Sequence, residues 1–401
     1  MALIQDTVGE LPYKLVDFDQ HSYESDDCFT RFMPKDKINT AVYPIRNASG
    51  EKVLLAGNRI VNALEANLDQ AYVPGSLVEM LKARSSGEAT DAERFYEPIQ
   101  AEYRDHAARV KQLDEQQIEH TIMYPGGWAL MAEAYLEGID PLYDNLESFN
   151  RWINEDWGFN YQGRIFAPAM LSLRDLDRAV AEVDRVLDAG ARFIMLAPGP
   201  AYGRSPGDPY FDPFWARVNE AKATIAYHIS EFHYQSQVAS HWGWGLVPPF
   251  QFSAWQWQNT YGERPITDTL SALIFDNLFG RFPNINVLVS EFGAEWIPHF
   301  IRHMDKSRGM ARNGRWLGGQ LTSRPSTIFK QHINVVPYPE DDTVDLAARL
   351  GGVDCLIMGS DWPHAEGLRE PADFYARSEG LGEERRRKFL RENGLELLGT
   401  T

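Results

Sequence analysis

The stretch Arg164–Ala197, RIFAPAMLSLRDLDRAVAEVDRVLDAGARFIMLA, carries the reading of the fold. Arg164–Met170 and Arg192–Ala197 are short apolar runs without strict alternation, the pattern of strands buried on both faces. Between them, Leu173–Ala189 places Leu176, Val180, Val183 and Leu187 at helical spacing, and Gly190 stops the helix just before the next strand. That is one strand–helix–strand unit. Working outward, comparable runs recur at Lys14–Phe18, His120–Tyr124, Thr224–Ile229, Asn286–Ser290, Ile333–Val336 and Cys355–Met358. Phe214–Ala223 and Trp296–Lys306 read as further helices. Eight strand-like runs alternating with helices point to an α/β chain folded as a (β/α)8 TIM barrel. Residues 1–401 are read as one barrel domain, with long insertions after strands 1 and 5, at about 22–119 and 230–283. The first holds a hairpin, Ile38–Val61, turning at Asn47–Gly50; the second holds Trp242, Trp244, Trp255 and Trp257.

Composition narrows the class. Among 401 residues, 39 Lys and Arg face 57 Asp and Glu, a formal charge of −18, which argues against nucleic acid and anionic membranes as partners. No run approaches the length of a membrane span, and Met1–Val16 lacks the apolar core of a signal peptide. Two cysteines, Cys28 and Cys355, exclude a cysteine-held zinc cluster and fit a reducing, cytoplasmic compartment. No dinucleotide, P-loop or serine-hydrolase motif stands out.

Chemistry-bearing residues gather at the strand ends. In Val16-Asp17-Phe18-Asp19-Gln20-His21, positions two apart share a face, so Asp17, Asp19 and His21 point the same way and Asp19 with His21 makes a two-point metal clip. The fifth strand ends in His228, and the eighth runs into Gly359-Ser360-Asp361-Trp362-Pro363-His364. Taken singly, His228 fits a hydrogen-bonded core histidine and Asp361 a turn cap. Together, Asp19, His21, His228 and Asp361 converge on the C-terminal mouth of a barrel, where a metal centre belongs.

Further segments carry a family resemblance: the helix Ala108–Asp114, Asp212-Pro213-Phe214-Trp215, Ser290-Glu291-Phe292-Gly293-Ala294-Glu295-Trp296-Ile297-Pro298, Gly359–Gly367, and the closing helix Arg386–Leu398 with Asn393. With the Val16–His21 segment they span almost the whole chain. It resembles the aminocarboxymuconate-semialdehyde-decarboxylase-like branch of the amidohydrolase superfamily. The resemblance implies a distorted barrel holding one divalent metal, with His228 and Asp361 as third and fourth ligands. Asp19 stands where relatives carry His or Glu. Arg192–Pro200 has no lysine to bridge a second metal, so a mononuclear site is expected. Glu291 stands where decarboxylating relatives place a catalytic histidine. It is read as a general acid or base, a partner of His364, a metal ligand, or a purely structural group.

The expectation is therefore a metal-dependent hydrolase with Asp361, Glu291 and His364 as catalytic groups. Its ion is Zn²⁺, with Mn²⁺ or Fe²⁺ as alternatives. A non-oxidative decarboxylase of an aromatic or unsaturated acid is the second reading, and a barrel with a degenerate binding site the third. A small-molecule substrate is expected to meet His233, His241, Trp242, Arg31 and Arg59, although each also suits a surface or structural place. His299 and His303, four apart on a helix, are placed on its outward side. A homodimer is compatible with the sequence.

Overall fold

The computed structural model describes residues 9–61, 68–87, 92–229, 231–247 and 251–399. Residues 1–8, part of the N-terminal reading above, and residue 230, the expected start of the second insertion, lie outside them.

Parallel pairing runs from strand to strand. Leu15–His21 pairs with Ile118–Tyr124, and that strand pairs with Ile165–Phe166. Ala169–Met170 pairs with Phe193–Met195, which continues to Thr224–His228, Asn286–Ser290 and Ile333–Val335. The third run is thus split into two short strands around Ala167–Pro168, because proline has no N–H to give a ladder.

The eighth run, Cys355–Met358, forms a single bridge, Leu356 with Val335, where a full strand is expected. Its amides go elsewhere: Leu356 N–H donates to Val353 O in a turn, and Met358 N–H to Phe389 O in the closing helical segment. It still links the two ends of the ring. Ile357 N–H donates to Val335 O, and Phe18 N–H to Met358 O at 2.9 Å. The strands are buried on both faces, Leu15–His21 completely, as a parallel sheet wrapped in helices requires.

The decisive helix runs from Leu176 to Asp188. The Asp175 carboxylate caps Arg178 N–H at 2.9 Å, and Gly190 takes the left-handed conformation after it. Its buried stripe is Ala179, Glu182, Val183 and Val186, whereas Leu176, Val180 and Leu187 flank the core half-buried. Glu182 is tolerated inside because Asn150 and Arg185 bond its carboxylate.

Between the first two strands the hairpin pairs Val42–Arg46 with Lys52–Ala56, and Asn47 Oδ1 accepts from Ser49 and Glu51 N–H to close its turn. Helix His106–Glu115 follows, covering the expected 108–114. After the fifth strand come short helical pieces and the longer Arg264–Phe275. Among the described residues no helix is long and apolar enough to cross a membrane. Cys28 and Cys355 are buried and unbridged.

Candidate metal centre

The first, fifth and eighth runs bring their ends to one buried cluster. His21 Nδ1 lies 3.0 Å from Pro125 O, and His228 Nδ1 lies 3.0 Å from Ile229 O. A carbonyl only accepts, so each Nδ1 carries the proton and each Nε2 is left with a lone pair. Those two Nε2 atoms face each other at 3.1 Å. Asp19 Oδ1 lies 3.4 Å from one and 3.6 Å from the other, and Asp361 Oδ1 lies 3.3 Å from His21 Nε2. Asp19 Oδ1 accepts no hydrogen bond from the described residues although it is buried, and Asp361 Oδ1, also buried, has the ionic contact with His364 Nδ1 at 2.9 Å in place of a hydrogen bond.

His21 Nε2 thus has the His228 Nε2, Asp19 Oδ1 and Asp361 Oδ1 atoms within 3.1–3.4 Å, an arrangement that a positive charge among them would relieve. Metal–ligand distances of about 2.0–2.2 Å place neighbouring donors about 2.8–3.6 Å apart, the spacing found here. The residues fit a divalent ion.

Electrostatics reports the same demand. Burial, reinforced by the neighbouring His364 and His228, pushes His21 well below the usual imidazole range. Burial opposes charge on His228 too, but Glu291 and Asp19 outweigh it and raise that ring well above its ordinary value. Without an ion, those carboxylates draw a second proton onto His228 Nε2; a divalent ion would take the place of that proton. Burial and the charges of Glu291, Glu366 and Asp19 push Asp361 far above the usual carboxylate range.

Around the four donors stand further groups. Glu291 Oε2 lies 2.9 Å from His228 Nε2, and His364 Nδ1 lies 2.9 Å from Asp361 Oδ1. The His364 ring stacks on His21 with centroids 3.8 Å apart. Glu291 and Asp361 both hold left-handed backbones, at φ 62° and 56°. Non-glycine residues adopt that region at a cost of about 1–3 kcal/mol, and such strain gathers where function needs a particular side-chain direction. Tyr338 secures the first by donating its hydroxyl to Glu291 O. Glu366, which sequence reasoning quoted in a motif without giving it a role, completes a group with Glu291, Asp361 and His364 at the open side. Its signal was there, two residues beyond His364. Asp17 shares the strand but not the cluster, for its carboxylate is taken up by Ser360.

Of the expected substrate-binding residues, the two arginines are already paired. Arg31 is saturated by Asp27, Glu155 and Asp156 in an ion-pair network near the surface, and Arg59 pairs with Glu137. Guanidinium groups already matched by carboxylates offer little to a substrate anion. His241 is exposed, and Trp242, 63% exposed, leans on Trp255. His233 is buried, its Nε2 lies 3.2 Å from Pro200 O, and it lines a small pocket with Glu133, Tyr202 and Tyr227. His299 and His303 stack on each other on an exposed helix face.

Comparison with known proteins then fixes the family. The amidohydrolase family model matches residues 129–400. The chain belongs to the amidohydrolase family. Among solved structures, an amidohydrolase from Mycobacterium avium subsp. paratuberculosis K-10 overlays with a TM-score of 0.84 at 32% identity, covering 98% of this chain and 99% of that one. A 5-carboxyvanillate decarboxylase from Sphingomonas paucimobilis overlays at 0.61 with 14% identity, over 97% and 99% of the two chains. A dihydroxybenzoic acid decarboxylase from Polaromonas sp. JS666, solved with manganese and 2-nitroresorcinol, overlays at 0.57 with 17% identity, over 80% and 92%. Among curated proteins no sequence matches. The family accounts for the barrel and for enzyme status, and the last two overlays extend the likeness of fold.

Proposed function

We propose that this amidohydrolase-superfamily enzyme is a metal-dependent lyase that releases CO2, without an oxidant, from an aromatic or unsaturated acid bearing a hydroxyl beside the carboxylate. The observation that carries this reading is the donor set. Two groups of donors meet at His21, one of Asp19, His21 and His228 and one of His21, Asp361 and His364, and Glu291 Oε2 lies 2.9 Å from His228 Nε2. Carboxylate-rich sets suit hard ions, which moves the expected metal from Zn²⁺ towards Mn²⁺. Support also comes from the folds this chain shares with decarboxylases of hydroxylated benzoic acids, one of them holding manganese.

A divalent ion in the cage would supply positive charge for the substrate carboxylate and the neighbouring hydroxyl. The protein's own groups do the rest. Asp361, paired with His364 at 2.9 Å, delivers a proton to the carbon that bears the carboxylate. That C–H bond forms, the C–C bond to the carboxylate breaks, and its electrons return to the ring as CO2 leaves. His364, with a side chain 23% exposed, returns a proton from solvent to Asp361. His21 and His228, their Nδ1 protons held by carbonyls, keep Nε2 turned to the cage.

Hydrolysis is the second reading, and Glu291 favours it. A carboxylate 2.9 Å from His228 is placed to take a proton from water. The two reactions separate in labelled solvent. With the Mn²⁺-loaded protein and a panel of hydroxybenzoates, we expect CO2 and a product carrying solvent deuterium but no solvent ¹⁸O. Asp361→Asn should lower turnover by about 10²–10⁴-fold, the range for a general acid. Solvent ¹⁸O entering the product of an ester, lactone or amide, with no CO2 from any acid, would replace this proposal with the hydrolase.

A further inference from the structure

Asp17 is wholly buried within the barrel, yet four donors converge on it. Its Oδ1 accepts from Ser360 N–H at 2.9 Å and Asp19 N–H at 3.1 Å, and its Oδ2 from Ser360 Oγ at 2.6 Å and Gln20 Nε2 at 3.0 Å. The donors are not arbitrary. One is the backbone of the ligand Asp19. Two belong to Ser360, whose next residue is Asp361. The fourth, Gln20, lies between Asp19 and His21 and carries the contact onward, since its Oε1 accepts from Arg109 Nη1 at 3.2 Å.

Arg109 is buried and, among the described residues, has no carboxylate paired with it. It donates to His21 O at 2.7 Å and to Glu102 O, and it lies over the Trp362 ring at 4.6 Å. A buried arginine and a buried aspartate, each costly alone, are thus linked through one glutamine. Every member touches the backbone or the immediate neighbour of a metal-cage residue. Asp361 needs such support, because its left-handed backbone is a strained state that persists only where the surroundings over-determine it. Asp361 N–H donating to Asp19 O at 2.7 Å, and Trp362 N–H to Ser360 Oγ, complete the hold.

We infer that the Arg109–Gln20–Asp17–Ser360 relay is the positioning device of the metal centre, with Asp17 the residue that locks the strained Asp361 turn against the first-strand ligands Asp19 and His21. The inference rests on the metal reading of the cage and not on the identity of the reaction. Partners that orient ligands without touching the metal typically govern affinity 10–100-fold.

The test is Mn²⁺ binding to the full-length protein, measured by titration with free metal and read together with the electron paramagnetic resonance spectrum of the bound ion. Asp17→Asn sets an amide NH2 against the donors and should weaken binding about 10–100-fold and alter the spectrum. Ser360→Ala removes only the hydroxyl and is the milder variant, able to carry the test alone if Asp17→Asn does not fold. The double variant should bind no more weakly than Asp17→Asn, because the pair acts as one unit. A folded Ser360→Ala or Asp17→Asn that binds Mn²⁺ within about twofold of the parent, with an unchanged spectrum, would overturn the relay. A parent protein that binds neither Mn²⁺ nor Zn²⁺ would overturn the metal reading and the relay with it. A parent that binds Mn²⁺ but attacks no acid would sink only the lyase, leaving the relay supported by the variants.

Discussion

Glu24 shows how one residue couples burial to acidity. Its carboxyl is 4% exposed, and its Oε1 accepts from Ala129 N–H at 3.2 Å in the first turn of the helix Gly127–Tyr135. Burial raises it from 4.5 to about 7, against the pull of those helix amides and Arg104. A raised folded-state value means that the native protein holds the proton more tightly than the unfolded chain. The stabilising contribution is therefore complete below the ordinary carboxyl value and is lost as pH rises through about 7. The loss is on the order of 3 kcal/mol. Urea unfolding of the wild type and of Glu24→Gln, near pH 5 and near pH 8, should show a fall in stability that the variant largely escapes. Equal slopes in the two proteins would refute this assignment. Glu24 drew no attention in the sequence because nothing local marks it. Its burial is imposed by a helix that begins about a hundred residues further on. The proposed ligands Asp19, His21, His228 and Asp361 could be picked out for the opposite reason. Their positions follow from where strands end, and strand ends are read from local apolar runs.

At the scale of elements, the closing helix Asn393–Leu398 is pressed against the first strand. Asn393 donates its side-chain amide to Val353 O and Leu356 O, both at 2.8 Å, holding the eighth run in place without a full ladder. Gly394 lets the helix approach. A Cβ there would stand 2.7 Å from Phe18 Cε2 and 2.9 Å from Val16 Cγ1. Alanine is the better helix former by about 1 kcal/mol, but overpacking a rigid core costs about 1–3 kcal/mol. The clash is with a buried strand, so Gly394→Ala should destabilise, by about 1–2 kcal/mol in denaturant melts. A stabilised variant would mean that the first strand can yield. Sequence patterning placed this helix and most of the strands. It missed the shortness of the eighth, because Cys355–Met358 has the composition of a strand while its amides are claimed by a turn and by a helix thirty residues later.

For the whole molecule, the cage ties the first, fifth and eighth runs together at one end of the barrel. An ion that binds the folded chain alone stabilises it by about 2.7 kcal/mol at a hundred times its dissociation constant. Stripping the protein with a chelator should therefore lower its calorimetric midpoint, and adding Mn²⁺ back should restore it in a concentration-dependent way. A midpoint indifferent to both treatments would argue against the cage as a metal site.

By itself the sequence determined the alternation of strand and helix, the placing of carboxylates and imidazoles at the strand ends, and the absence of cysteine from any metal set. These depend on patterns a few residues long. Tertiary structure decided that Arg31 and Arg59 are matched by carboxylates and that Trp242 faces solvent. It also decided that Glu291 joins His228, and that Asp17 clasps Ser360 across 343 positions of sequence. Such pairings exist only once the ring of strands closes. Closure brings the chain's distant segments within hydrogen-bonding range, and no local pattern encodes which of them will meet.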